Sequence, residues 1–295
     1  MKTFVIYANC HANPIEFFLN LSNDFKKTYI CHIVSILNYL AKPGLTSLNN
    51  NDIIKLQEAD VVLCQYIQTD RNYLNHANVL SYCKPNTSIL MMPHHRFSAY
   101  SVIAKNDFKF KINNWTFIPV EIYECYKNSN GYNEFELKFD EVYKSFKIKM
   151  SDSEIARLTT YFIDQYIKLN ESQSSEELNM SKFVIINYKH YQLFSDDSHP
   201  TGIFFYELVR KILNVIGIYN IKSYDPNNDY TTMADSIWLQ TYVPISDQEK
   251  DKLGLVFECF KPNVVMLNTA SRKQAKSLCE YYYLHIINSL ENKFN

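Results

Sequence analysis

Thr3-Phe4-Val5-Ile6-Tyr7-Ala8, followed at once by Asn9-Cys10-His11, is the stretch that decides the fold class. Six β-branched, aromatic and small residues, polar only in the hydroxyls of Thr3 and Tyr7, read as a buried strand. A short polar turn follows, and from Pro14 to Leu21 the apolar spacing becomes helical. Strand, tight turn and helix form the opening unit of an α/β fold. Working outward, Asp60-Val61-Val62-Leu63-Cys64-Gln65-Tyr66 reads as a second buried strand, and Thr87 to Met92 as a third, ended by Pro93. Helices are expected over Cys31 to Leu40, closed by Pro43-Gly44, over Ile53 to Glu58, capped from the Asn-rich loop before it, and near Tyr73 to Cys83. This alternation predicts a central, mainly parallel sheet flanked by helices.

Further along, Trp115 to Val120 reads as another strand. Ser151 with Glu154 three residues on has the form of a capping box, opening a helix to about Leu169. Asn170 to Asn179 is a polar loop or a charged extension of that helix. Pro200 opens an amphipathic helix through Ile216, stopped by Gly217. Asp225 to Asp229 is a turn, and Ser271 to Leu290 a closing helix, so the C-terminal portion is helical. The expected organisation is one α/β domain over residues 1–295, with an inserted lobe at about 122–180.

Composition narrows the function classes. The chain has 295 residues, 46% hydrophobic and 21% charged, enough apolar surface for a core without disulfide or metal staples. A net charge of −1 lacks the basic excess of a nucleic-acid binder. Seven cysteines, an odd number with no C-x-x-C, argue against a disulfide scaffold and for a reducing, cytoplasmic setting. No apolar run is long enough for an integral membrane segment, and the start lacks a small-residue cleavage site. Five glycines, with neither G-x-x-x-x-G-K-[ST] nor G-x-G-x-x-G, exclude the usual nucleotide loops. The 23 Tyr and 19 Phe suit an aromatic core; a sugar-binding surface is the other reading.

Four short segments carry candidate chemistry. Cys10 ends the first strand, where open α/β sheets bind ligands, beside a helix start that favours thiolate. Backbone N–H groups of such a turn can hold an oxyanion. The other reading of Cys10 is a small buried hydrophobe. His199-Pro200 precedes a helix, which places His199 at the cap, neutral and able to accept a proton. Asp196, three residues earlier, is spaced to fix the imidazole tautomer, the carboxylate–histidine half of a nucleophilic triad; an ordinary Asp/Ser-rich cap is the alternative. Gln65, at the end of the second strand, points at the edge that holds Cys10 and is a candidate oxyanion donor, or else a strand-end polar residue. His94-His95-Arg96 follows the third strand. No carboxylate or thiol with ligand spacing accompanies the two histidines, so no metal is expected. Arg71, His95 and Arg96 are candidates for binding phosphate.

These pieces, in this order, resemble the WcbI-type polysaccharide-biosynthesis acetyltransferases. That family opens with a G-N-C-Q-like turn, here Ala8-Asn9-Cys10-His11. It continues with a D-x-V-x-x-Q strand, here Asp60 to Gln65, then a Pro/aromatic block, here Pro93 to Tyr100, and later a His-Pro pair opening a helix. Ala8 and His11 depart from the pattern. The resemblance implies coenzyme A or acetyl-coenzyme A as co-substrate and a capsule or surface-polysaccharide sugar as acceptor, with Asn9 and His11 at the ligand. The layout also looks like a cysteine version of the SGNH hydrolases, whose core is flavodoxin-like, with Asp196 and His199 in the place of the late D-x-x-H. The function expected is acyl transfer to a sugar hydroxyl by a Cys10/His199 centre. A thiol esterase on acylated carbohydrate and a non-enzymatic sugar-binding protein are the alternatives.

Overall fold

The computed structural model describes residues 1–108, 110–111, 117–224, 245–257, 265–266, 272–273 and 277–291. The chain divides into two compact units. One contains Met1–His95, Tyr166–Val184 and the chain from Gly202; the other contains Arg96–Gln165, Ile185–Thr201 and the described residues from 245 onward.

The first unit is built on β1 (Lys2–Ala8), β2 (Tyr29–Ser35), β3 (Val61–Gln65) and β4 (Ser88–Met92), all parallel, in the order β2-β1-β3-β4. The chain leaves β1 for a neighbour on one side and then crosses to the other side with β3. The topological switch point therefore falls between the carboxyl ends of β1 and β3. Buried on both faces, β1 is apolar throughout its second half. Val5 and Tyr7 join Val62, Cys64, Leu56 and Val79 in one cluster. Phe4, Ile6 and Ala8 point to the opposite face by strand alternation.

Between the strands run α1 (Ala12–Leu19), α2 (Asn23–Thr28), α3 (Ile36–Leu40), α4 (Asn50–Glu58) and α5 (His76–Leu80). Asp60 sets the β1–β3 register: its carboxylate accepts from the Thr3 N–H at 2.7 Å, its N–H donates to the Thr3 carbonyl, and its own carbonyl accepts from Ser88. The region expected as a helix from Cys31 to Leu40 is instead strand β2 and the short α3. Ile33 and Val34 pair with β1, and the backbone stays extended as far as Ser35.

The long α6 (Asp152–Gln173) passes from the second unit into the first; Ser151 Oγ accepts from the Glu154 N–H at 3.3 Å. The polar stretch after Leu169 continues that helix to Gln173 and then forms a short 3-10 turn at Glu176–Leu178. Ser175 exchanges hydrogen bonds with Met91 of β4. The helix expected from Pro200 begins at Gly202 and runs to Val215, packing against α1.

In the second unit, a helix over Val120–Lys127, one over Tyr132–Ser145 and the closing helix Leu278–Glu291 bury Ile122, Phe135, Phe139, Tyr281 and Tyr282 in one cluster. The closing helix starts seven residues after the expected Ser271. Of the strand expected from Trp115, Phe117–Ile118 pairs antiparallel with Phe110–Lys111. Residues 115–116 and the turn at Asp225 to Asp229 lie outside the described residues. The aromatic surplus fills cores: Tyr7, Tyr166 and Tyr281 are among the largest fully buried side chains.

Candidate active site

Cys10 stands two residues past the end of β1, at the β1/β3 switch point, and is half-buried. Beside it, β3 ends in Gln65, which is fully buried. The Asn9 N–H donates to Gln65 Oε1 at 2.9 Å, and the His11 N–H donates to Asn9 Oδ1 at 3.1 Å. The two bonds latch the turn from both sides of Cys10. Ala8, where the resembled family has glycine, completes the strand; no described residue other than glycine has positive φ, so no glycine is required there.

The bond from Asn9 also orients the Gln65 amide. An N–H can meet only the oxygen end, so Oε1 faces Asn9 and Nε2 is the free end. Among the described residues that nitrogen is buried with no hydrogen-bond partner.

His11 is buried as the cap residue of α1, its ring 5.1 Å from that of His94, 6.2 Å from that of His95 in a near-parallel stack, and 5.6 Å from Phe205. His95 is fully buried, edge-on to Phe204 at 4.7 Å, with its Nδ1 3.3 Å from the Tyr166 hydroxyl. Burial, with a smaller push from His94, lowers its pKa to about 3. This corrects the expectation of His95 as a phosphate-binding cation: the ring is neutral because a charge there would be desolvated. Among the described residues no group of three histidine, cysteine or carboxylate side chains could hold a metal ion. Arg71 uses its guanidinium structurally, donating from one terminal nitrogen to the carbonyls of Tyr39 at 2.7 Å and Lys42 at 3.3 Å, at the carboxyl end of α3.

In the second unit, Phe194 and Pro200 form an isolated bridge that closes a loop, with the Ser195 N–H donating to the His199 carbonyl at 2.8 Å. Inside it, His199 Nδ1 lies 2.7 and 2.9 Å from the two carboxylate oxygens of Asp196. Asp196 Oδ1 also accepts from the N–H groups of Ser198 and His199. His199 is therefore not at the helix cap: α7 (Gly202–Val215) starts three residues later, and the tautomer is set by Asp196 rather than by a helix dipole. Nδ1–H donates to the carboxylate, which leaves the Nε2 lone pair as the basic position.

The adjoining Asp197 has a different task. Its carboxylate accepts from Ser98 Oγ at 2.7 Å, from Ser101 Oγ, and from Lys105 Nζ, while its carbonyl accepts from the Phe97 N–H. Arg96 is exposed and close enough to Lys105 to lower the lysine's pKa, a smaller effect than burial. Lys105 and Tyr166 went unnoticed in the sequence, because each sits inside an ordinary helical pattern.

No protein-family model matches the sequence, and no curated protein matches it. A solved structure of WcbI does match. It is described as a novel polysaccharide biosynthesis enzyme, in its native form without a disulfide between coenzyme A and a cysteine. The two share 12% identity, with a TM-score of 0.64 over 98% of this chain and 90% of that one. At this identity the likeness speaks for the fold: the chain has the architecture of WcbI.

Proposed function

We propose that this protein is a coenzyme A-dependent acyltransferase acting on a sugar hydroxyl in polysaccharide biosynthesis. The observation that carries the reading is the latched turn of Cys10 at the β1/β3 switch point, beside the oriented amide of Gln65. The fold shared with a polysaccharide biosynthesis enzyme, and the coenzyme A and cysteine named with that protein, supply the ligand class. No helix among the described residues is long and apolar enough to cross a membrane.

In this reading His199, oriented by Asp196, is the base, and Cys10 is the thiol at the acyl group. Thiolate attack on a thioester exchanges one sulfur for another at little net cost, so a cysteine suits a coenzyme A donor. Deprotonation of the sugar hydroxyl by His199 Nε2 then drives acyl transfer to oxygen. Gln65 Nε2 supports the developing oxyanion, a role worth roughly 10²–10³ in turnover elsewhere. Arg96 is the cation proposed for the ligand's phosphates; Asn9 and His11 shape the turn at the thioester.

The test is direct. Coenzyme A should raise Tm saturably, and acetyl-coenzyme A plus an acceptor sugar should yield acetylated sugar. Cys10→Ala and His199→Ala should each abolish transfer while the Tm shift persists. Acyl release at a rate indifferent to added sugar would identify a thiol esterase instead. No acetylated sugar from the wild type, with sugar binding intact in both variants, would leave a sugar-binding protein.

A further inference from the structure

In the first unit, at the amino edge of the sheet, one tyrosine is kept out of the core. Tyr219 is 77% exposed, whereas Tyr7, Tyr166 and Tyr281 are fully buried. Topology fixes its place. β1 and β2 are parallel, so the crossover between them returns from the carboxyl edge to the amino edge, and the residues just before Tyr29 lie there. Residues 219–222 dock on that return. The Lys222 N–H donates to the Leu21 carbonyl at 3.4 Å, the Ser22 hydroxyl to the Asn220 carbonyl at 2.6 Å, and Asn220 Nδ2 to Asp24 Oδ2 at 3.1 Å. The seven residues of β1 span roughly 20 Å, which separates this place from the Cys10 turn.

The exposed ring stands on ordered backbone. After α7, Gly217 takes a left-handed φ of 78° and its N–H donates to the Asn214 carbonyl; the Ile218 N–H donates to the Leu213 carbonyl at 2.8 Å. This closes the helix at a fixed angle, and buried Ile218 anchors the chain one residue before Tyr219. On the other side, the hydroxyl of fully buried Ser22 holds Asn220. A tyrosine has only two side-chain torsions, so a partner packing on this ring orders little that is not ordered already.

Tyr219 lines a cleft of about 470 Å³ together with Asn23, Asp24, Lys27, Asn220 and Lys222, a volume that suits a small organic ligand. Lys27 and Lys222 are exposed, and neither has an ion-pair partner among the described residues. Two ammonium groups against the one carboxylate of Asp24 leave the cleft positive, in a chain whose net charge is −1. An aromatic face beside amides, a carboxylate and unpaired ammonium groups matches the chemistry of an acidic sugar. The ring takes the apolar C–H face of a pyranose, the amides and Asp24 take its hydroxyls, and the lysines take its carboxylate. We propose that this cleft is a non-catalytic binding site for a uronate-type saccharide, which grips the polysaccharide chain away from the hydroxyl being modified. The inference rests on the reading that the acceptor belongs to a polysaccharide, and extends it from one hydroxyl to the chain that carries it.

The experiment titrates the full chain with tetragalacturonate and, separately, with maltotetraose, a neutral chain of the same length, by calorimetry and saturation-transfer NMR. Tetragalacturonate should bind more tightly than maltotetraose, and added salt should narrow the gap. Tyr219→Ala should weaken tetragalacturonate about tenfold, and Lys27→Gln with Lys222→Gln should reduce it to the level of maltotetraose. No binding of tetragalacturonate at about 10 mM overturns the proposal, as does binding within about twofold of wild type in both variants. Should Tyr219→Ala fail to fold, the lysine variant decides, because both lysines are exposed and pack in no core. With acetyl-coenzyme A, Tyr219→Ala should raise KM for a polymeric acceptor while leaving kcat, and transfer to a monosaccharide, unchanged. Tyr219-dependent sugar binding in a protein that neither binds coenzyme A nor transfers acetyl would sink the acyltransferase reading and leave this site standing. Transfer to sugar without Tyr219-dependent binding would do the reverse.

Discussion

Asp196 grips His199 with both carboxylate oxygens, at 2.7 and 2.9 Å from Nδ1. The same Oδ1 accepts backbone N–H groups from Ser198 and His199, so the carboxylate builds the loop as well as orienting the ring. Asp196→Asn separates these roles. The amide oxygen can still accept from the backbone, but an NH₂ facing Nδ1 favours the wrong imidazole tautomer. We expect turnover to fall by about 10³–10⁴, as in carboxylate–histidine pairs generally, with Tm within a few degrees of wild type and coenzyme A binding intact. Steady-state kinetics beside a melting curve checks this; a loss below tenfold would remove Asp196 from the chemistry.

His95 makes stability depend on pH in a defined direction. Its folded pKa of about 3 lies below the ordinary histidine value, so the unfolded chain binds the proton that the folded protein refuses. The group's contribution is full above pH 7 and is lost as pH falls through the unfolded value near 6.5 towards the folded one. Between pH 7 and 5 this amounts to about 2 kcal/mol. His95→Phe should therefore lose less stability than wild type over that range. Denaturant midpoints at several pH values measure the difference, and parallel curves would refute it.

The sheet was legible because β1, β3 and β4 are short apolar runs bounded by turn residues. The second strand was not. Cys31 to Leu40 is apolar almost throughout, and a strand running straight into a helix carries no punctuation: Ser35 is extended but makes no side-chain cap bond. The β-branched pair Ile33-Val34 was the available signal for the strand. At the site, the spacing of Asp196 and His199 allowed their bond to be anticipated. His95 was misread because two histidines and an arginine after a strand look like a polar loop. What makes the surroundings of His95 apolar is Phe204, which lies on the helix that begins at Gly202, far along the chain. Burial by such distant residues leaves no local trace.

Glu249 gives the opposite pH slope. It is buried in a capping box with Ser246, accepting from the Ser246 N–H at 2.9 Å and hydroxyl at 2.8 Å. Desolvation outweighs those bonds and raises its pKa to about 7. A raised carboxyl pKa means that the folded protein binds the proton more tightly, so stability from this group is present below the unfolded value near 4.5 and is lost as pH rises through 7. Glu249→Gln, uncharged throughout, should gain in Tm relative to wild type between pH 5 and 8. A difference that stays flat with pH would show that the carboxyl does not titrate in this window.

Adjacent aspartates make the sharpest contrast. Asp197 differs from Asp196 in facing Lys105, Ser98 and Ser101 rather than an imidazole. Its side chain is 10% exposed and that of Lys105 is 30% exposed, so the pair is only partly shielded from water. Asp197→Ala strands a half-buried ammonium and two hydroxyls, which we expect to cost about 2–3 kcal/mol of stability. The Phe97 N–H keeps its bond, because it uses the Asp197 carbonyl. Turnover per folded molecule at a temperature well below Tm should stay within a few fold. Asp196→Asn is expected to do the reverse, sparing Tm and removing turnover. Measured side by side, the two variants separate the residue that holds the segment from the one that orients the base; equal losses of turnover in both would mean that the loop acts as a single unit.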